Sequence, residues 1–127
     1  HPLAANPEQG VALRDLEEEP MILLDLPHTR EYYLQLFQLA GVKPNIRHRV
    51  SGYETVRSFV ARGHGYSLLN QRLHHDLTYA GGRVVPLRLV DEVPGIEVVL
   101  VRPEGMRPTR RALAFEAVCK QLYGAER

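Results

Sequence analysis

Two segments and one cysteine of this sequence contain residue types that often take part in catalysis or metal binding. The segment Gly65-Tyr66-Ser67-Leu68-Leu69 lacks the second glycine that a G-x-S-x-G nucleophile elbow needs at its sharp turn. His74-His75-Asp76 offers metal-ligating atoms, but adjacent histidines point apart in most backbones, and the polar surroundings indicate a surface loop. Cys119 lies on the apolar face of a predicted helix, where a buried, inert thiol is expected. The sequence therefore predicts no catalytic residue and no metal site.

Nucleotide-binding patterns are also missing from the sequence. Neither G-x-x-x-x-G-K-(S/T) nor a G-x-G-x-x-G that opens a helix occurs in the 127 residues. We therefore expect no cofactor, and we expect that the protein is not an enzyme.

Two predicted helix starts are better candidates for a binding site. Residues 27–29 follow an apolar strand at 21–24, and residues 51–53 follow a strand at 45–50. In open α/β sheets, ligands bind beyond the carboxyl ends of the strands, where helix N-termini present unpaired backbone N–H groups. These donors and the helix dipole favour small anions, above all carboxylates. We therefore expect the ligand to be a small organic acid.

The segment Ser51–Gln71 is expected to form the central structural unit, which positions the two helix starts. Ser51 and Glu54 have the spacing of a capping box, which indicates that a helix begins at Ser51. Gly63 is placed to end that helix in the left-handed conformation, and a buried strand is expected over 66–69. The predicted inward face of the helix is Tyr53, Val56, Phe59 and Val60, with Glu54, Arg57 and Arg62 facing water.

The remaining elements alternate between strands and helices. A helix is predicted from Pro27 or Thr29 to about Ala40, and Ile46, His48 and Val50 are the expected inward face of the strand at 45–50. A weak strand is predicted at 83–89, the strongest strand at 96–101, and a final helix from Thr109 to Tyr123. This order predicts an α/β fold with a mixed, mostly parallel sheet flanked by helices.

Length and composition describe one ordinary globular domain. The chain has 44% hydrophobic and 24% charged residues and a formal charge of +1, which gives no electrostatic reason to expect nucleic-acid or membrane binding. A single cysteine fits a reducing compartment, and no stretch reaches the ~20 apolar residues of a membrane helix. Because the sequence starts at histidine, we expect a fragment, an isolated domain or a processed product.

The order of several motifs resembles the effector-binding domain of LysR-type transcriptional regulators. The family segment E-x-V-x-x-x-V-x-x-G-x-G-(I/V/Y)-x-L-L is matched over residues 54–69. The start of the chain is similar to H-P-L-A … L-x-D-L-x-x-x-P-x-I, from His1 to Ile22. The ending, a strand followed by a short connection and an amphipathic helix, also resembles the end of such domains.

This resemblance implies a fold like that of a type 2 periplasmic binding protein, with the effector in a cleft between two α/β subdomains. Residues 1–103 would form the second subdomain, and residues 104–127 a connection and C-terminal helix that packs back toward the first. The first subdomain and the N-terminal winged helix-turn-helix would be absent, so DNA would be bound only through that absent domain. A cytoplasmic protein, a homodimer or homotetramer, and no membrane partner are further expectations.

The resemblance also implies which residues contact the effector. They lie in three segments, which are Leu26, Pro27, His28 and Thr29; Ser51, Gly52 and Tyr53; and Leu69 and Asn70. The family commonly has proline where this chain has Asn70, and an amide there either bonds a ligand or caps a chain end. Ser51 either caps a helix or contacts the effector, His28 is either a contact or an exposed loop residue, and Tyr53 is either a contact or part of the core.

Two other functions remain open from the sequence. The chain could be a lobe of a periplasmic solute-binding protein that captures a small acid, or a small α/β enzyme with an unrecognised nucleophile. An upstream helix-turn-helix would support the regulator, and an upstream signal peptide would support the binding protein. Substrate turnover that is lost on Ser67→Ala or His28→Ala would support the enzyme.

Overall fold

A computed structural model describes residues 1–124 of the chain. The chain divides into two compact units, His1–Gly95 and Ile96–Arg127. The first unit contains short 3-10 turns at Pro2–Ala4, Pro7–Gln9 and Leu13–Leu16, followed by β1 (Pro20–Leu24), α1 (Thr29–Leu39), β2 (Asn45–Val50) and α2 (Tyr53–Ala61). The second unit contains α3 (Arg110–Tyr123). No helix in the described residues is long and apolar enough to span a bilayer.

Strand β1 is the centre of the first unit. It pairs in parallel with β2, from Pro20 opposite Asn45 to Leu24 opposite Val50. On its other side Ile22 N donates to Tyr66 O at 2.8 Å, and Tyr66 N donates to Pro20 O at 3.0 Å. The parallel α/β arrangement is therefore confirmed, but the strand predicted over 66–69 is reduced to a single bridge at Tyr66.

The core forms around β1 because four of its five residues are buried on both faces. Helix α1 contributes Tyr33, Leu36 and Phe37, and α2 contributes Val56. Residues between the elements complete the cluster, and Tyr53, Phe59 and Val60 are partly buried against it. At roughly 25 cal/mol per Å² of buried apolar surface, this cluster is the main stabilising contribution to the unit.

Two glycines shape the turn that leads from α2 back to β1. Gly63 has φ +80°, so it ends α2 in the left-handed conformation as predicted. At Gly65, a Cβ atom would lie 2.0 Å from Pro20 O, which no side chain tolerates. The absence of a side chain at Gly65 therefore allows Tyr66 to reach β1.

Some predicted inward and outward positions were wrong. His48 is exposed, although the centroid of its ring lies 5.3 Å from that of Phe59 in α2. Arg57 was expected to face water but is buried, with a relative exposure of 6%. Its guanidinium donates to Glu54 Oε2 and to His75 O, both at 2.6 Å, so its charge is paired within the fold.

The predicted strands beyond residue 82 were also wrong in extent. Within residues 83–89, only Arg83 and Leu89 form isolated bridges, to Leu77 and Val11 respectively. Residues 96–101 form no strand in the described part of the chain, and all six are exposed. Backbone N–H and C=O groups need a neighbouring chain to form a ladder, so an apolar run alone does not make a strand.

Helix α3 follows the prediction closely. Thr109 caps it, since the hydroxyl accepts a hydrogen bond from Ala112 N at 3.2 Å. None of its residues is buried, and Cys119, which was expected to be buried, has intermediate exposure.

Candidate functional site

The segments that follow β1 and β2 lie at the same edge of the sheet. Because the two strands are parallel and Leu24 is opposite Val50, residues 26–29 and 51–53 both begin where the strands end. The two strand ends are joined directly, since Asp25 N donates to Val50 O at 2.8 Å. The third predicted segment, residues 69–70, follows the chain that bridges β1 on its other side.

Two tyrosine hydroxyls connect this third segment to the helices. Tyr33 of α1 accepts a hydrogen bond from Asn70 N at 2.9 Å and lies 3.4 Å from Asn70 Oδ1. Tyr53, at the start of α2, donates to Gln71 O. Burial raises the pKa of both tyrosines, so each is a neutral hydroxyl at physiological pH. Both helices are therefore bonded to the turn at residues 70–71.

His28 has an unusual backbone conformation at this edge. It is the only non-glycine residue in the described range with positive φ, at φ 64° and ψ −41°, and it precedes the first residue of α1. Its side chain is 98% exposed, and Nδ1 lies 3.8 Å from Glu31 Oε2. Such a conformation costs on the order of 1–3 kcal/mol and is concentrated at functional sites. The imidazole is therefore presented to solvent at the start of the helix.

The predicted capping box at the second segment was wrong. Helix α2 begins at Tyr53 with Gly52 as its N-cap, so Ser51 lies one residue too early to cap it. Glu54 has other partners, because Oε1 accepts from Tyr79 N at 2.7 Å and Oε2 accepts from Arg57 at 2.6 Å. The hydrogen bond from Tyr79 N, followed by that from Arg57, lowers the pKa of Glu54. Ser51 itself is exposed at the sheet edge.

The charged side chains near the site are paired with each other. Arg30 Nη1 donates to Asp25 Oδ1 at 2.6 Å, and Arg49 Nη1 lies 3.8 Å from Asp25 Oδ2. Arg30 Nη2 also lies 3.9 Å from Glu31 Oε1. Two guanidinium groups are thus matched by two carboxylates. Neutral donors, rather than an unpaired cation, are what this edge offers to a ligand.

Other parts of the first unit do not suggest a competing site. Among residues 1–124, no group of three or more histidine, cysteine, aspartate or glutamate side chains could hold a metal ion. Two open depressions of about 410 and 570 Å³ lie elsewhere, one lined by residues that include Glu8 and Arg88 and the other by residues that include Glu18 and Lys43. Neither is lined by a residue of the three predicted segments.

Sequence reasoning missed the side chains that hold the site in place. Tyr33 of α1 is buried in the core, and its hydroxyl also bonds Asn70. A tyrosine rather than a phenylalanine at a core position is itself a signal, because a buried hydroxyl usually has a partner. Gln71 contributes only a backbone oxygen, which no residue pattern reveals.

Comparison with known proteins identifies the family. The profile of the LysR substrate binding domain matches residues 1–124. The chain belongs to the LysR substrate-binding domain family. Its fold is therefore the type 2 periplasmic-binding-protein-like α/β fold, and the resemblance inferred from the motifs is confirmed. No curated protein matches the chain with significance.

Solved structures of LysR family regulators are similar to this LysR domain. HinK from Pseudomonas aeruginosa is 36% identical with a TM-score of 0.86, over 96% of this chain and 41% of HinK. The PA01 protein of Pseudomonas aeruginosa, assigned to the same family, is 34% identical with a TM-score of 0.80. The match covers 98% of this chain and 42% of the PA01 protein. The C-terminal domain of a probable LysR family regulator from Rhodococcus sp. RHA1 is 40% identical with a TM-score of 0.70. The match covers 75% of this chain and 46% of the Rhodococcus chain. The chain thus spans less than half the length of these relatives.

Proposed function

We propose that this LysR domain senses a small organic effector that bears a carboxylate and passes the signal to DNA-binding domains elsewhere in the full-length protein. The observation that carries the proposal is that segments 26–29 and 51–53 follow the ends of two paired parallel strands, while Tyr33 and Tyr53 bond residues 70–71, in a chain that matches the family over residues 1–124. The start of α2 and the neutral side-chain donors at that edge suit an anion, whereas Thr29 N and Arg30 N of α1 already donate to Pro27 O and Leu26 O. The contact residues are those of segments 26–29, 51–53 and 69–70.

The proposed domain organisation follows the family. Residues 1–103 form the second subdomain, and residues 104–127 form a connection and a helix that packs toward a first subdomain outside these residues. The exposure of the aliphatic run 96–101 supports this, since apolar residues in such a run are normally covered. The effector lies in the cleft between the subdomains, and a winged helix-turn-helix precedes them.

The signal is a shift between two arrangements of the cleft. An effector changes DNA binding only to the extent that it binds one arrangement more tightly than the other. The full-length regulator acts in the cytoplasm as a homodimer or homotetramer and catalyses no reaction. Assembly matters to the mechanism because the spacing of paired DNA-binding domains determines how they contact two half-sites.

Ligand binding by the intact protein tests this proposal. Sodium acetate, benzoate and succinate, each beside its neutral amide, are screened for a rise in Tm, and binding to the upstream promoter DNA is then measured with and without the best acid. We expect at least one acid to raise the Tm and to change DNA affinity. An acid that binds without any effect on DNA binding would contradict the sensing role.

Two histidine variants locate the site. His28→Ala should weaken acid binding, because it removes an exposed donor beside α1. His74→Ala, which changes another exposed histidine outside the three segments, is the control and should bind the acid as the parent protein does. Equal effects of the two substitutions would remove His28 from the site.

A further inference from the structure

Asn70 is the one residue of the three segments whose backbone and side chain both bond a buried hydroxyl. Tyr33, which is 2% exposed, accepts from Asn70 N at 2.9 Å. The same hydroxyl directs its proton to Asn70 Oδ1 at 3.4 Å. A hydroxyl has one proton to donate and lone pairs to accept with, so both interactions can hold together. Asn70 is thereby fixed at two atoms.

This arrangement determines which end of the amide faces outward. Because Oδ1 is turned toward Tyr33, the NH₂ group of Asn70 is directed away from it. Among residues 1–124, Nδ2 has no hydrogen-bond partner, and Asn70 is exposed. The amide therefore offers donor N–H groups, and not its acceptor oxygen, at the sheet edge.

The electrostatics around the edge give these donors their importance. Arg30 and Arg49 are both engaged by Asp25, so neither guanidinium is left without a carboxylate. An incoming carboxylate thus meets neutral N–H groups. A hydrogen bond to a charged group is stronger than one between neutral partners, so a single fixed donor makes a large difference to such a ligand.

We propose that Asn70, positioned by Tyr33, is the residue that makes this domain prefer a carboxylate over the corresponding neutral amide. The inference rests on the proposed function and specifies the ligand chemistry at that site. Nδ2 donates to a carboxylate oxygen of the effector. A primary amide places an NH₂ group at one of the two equivalent oxygen positions, so it can meet the donor in only one of two orientations.

The substitution Asn70→Asp tests the proposal with little change in shape. A carboxylate side chain keeps an oxygen that accepts from Tyr33 but has no N–H to donate, and because its negative charge repels any acid, the neutral variant Asn70→Ala is measured beside it. In the intact protein, affinity is measured for acetate, benzoate and succinate and for acetamide, benzamide and succinamide. We expect affinity for the best acid to fall by about tenfold or more, while the matching amide loses less or gains. The ratio of acid to amide affinity is the decisive quantity.

Two tyrosine variants separate positioning from general packing. Tyr33→Phe keeps the ring in the core but releases Asn70, and it should reduce the acid-to-amide ratio severalfold. Tyr32→Phe removes the neighbouring hydroxyl of the same helix, which donates to Pro94 O at 2.7 Å and does not touch Asn70, and it should leave the ratio unchanged.

The outcomes distinguish this inference from the function on which it rests. If the parent protein binds an acid and Asn70→Asp leaves the acid-to-amide ratio unchanged, the role of Asn70 is wrong and the sensing function stands. If the parent protein binds none of the three acids, both the role of Asn70 and the proposed sensing function are overturned. A fall in the ratio with Asn70→Ala and Tyr33→Phe, but not with Tyr32→Phe, supports the inference, whereas a fall with Asn70→Asp alone reflects charge repulsion and overturns it.

Discussion

The segments Pro20–Leu24 and 96–101 are both short aliphatic runs, yet only the first forms a strand. Four of its five residues are buried, and it has hydrogen-bonded neighbours on both sides. Residues 96–101 are exposed, with no ladder in the described residues. Apart from the charged Glu97, the two runs are similar in residue type and differ in their surroundings. An aliphatic run therefore acquires strand structure from its neighbours.

Replacing one leucine in each run by alanine should give the largest difference in the free energy of unfolding. In the 127-residue chain, Leu23→Ala removes a side chain that is 0% exposed and should lower the free energy of unfolding by about 3 kcal/mol. Leu100→Ala removes one that is 55% exposed and should change it by no more than about 0.5 kcal/mol. Urea titration of the two variants checks this.

The same pair in the intact protein sharpens the comparison. If a first subdomain covers residues 96–101, Leu100→Ala should become destabilising by about 2 kcal/mol or more. A Leu100→Ala variant with no effect in either form would contradict the proposed domain organisation.

A buried and an exposed arginine should differ in how much their charged side chains contribute to stability. Arg57→Ala should cost about 2–3 kcal/mol, because it leaves Glu54 and the carbonyl oxygen of His75 without a charged donor. Arg102 is 3.6 Å from Glu116 and its side chain is 66% exposed, so Arg102→Ala should cost less than about 1 kcal/mol. Thermal and urea unfolding measure both. Equal costs would mean that Arg57 is not buried in solution.

Acid titration should distinguish Glu54 from an isosteric amide. Because hydrogen bonds lower its folded-state pKa below the ordinary value of 4.5, Glu54 stabilises the fold above that pH. This stability is lost as the pH falls through the lowered pKa. The stability advantage of the parent chain over Glu54→Gln should therefore be constant near neutral pH and shrink below about pH 4.5. An advantage that does not depend on pH would contradict the contact with Arg57 and Tyr79.

The smallest expected effects concern helix caps. Thr109→Ala removes a hydroxyl that accepts from Ala112 N and should cost helix α3 about 1 kcal/mol, seen as lower helicity in a peptide of residues 107–124. Ser51→Ala removes no cap, so it should change the stability of the chain by less than about 0.5 kcal/mol. A loss near 1 kcal/mol at Ser51 would restore the capping box.

The sequence allowed the parallel pair of strands, three helices and the left-handed Gly63 to be predicted, since hydrophobic spacing and glycine placement are local signals. It misplaced the start of α2 because Gly52 and Ser51 are both acceptable caps. It also placed Arg57 in water because its partners, His75 O and Leu77 O, lie about twenty residues away. Helix starts gave two of the site segments. Residues 69–70 came from the family resemblance, and the tyrosine bonds that hold them required the fold.

Hydrogen–deuterium exchange of the intact protein, with and without the acid that raises its Tm most, shows which surface binds the effector. Slower exchange at residues 28–29, 51–53 and 69–70 on ligand binding is the predicted result, because those segments meet at the edge where the effector is proposed to bind. Protection confined to other surfaces, such as the depression beside Glu8 and Arg88, would contradict the account.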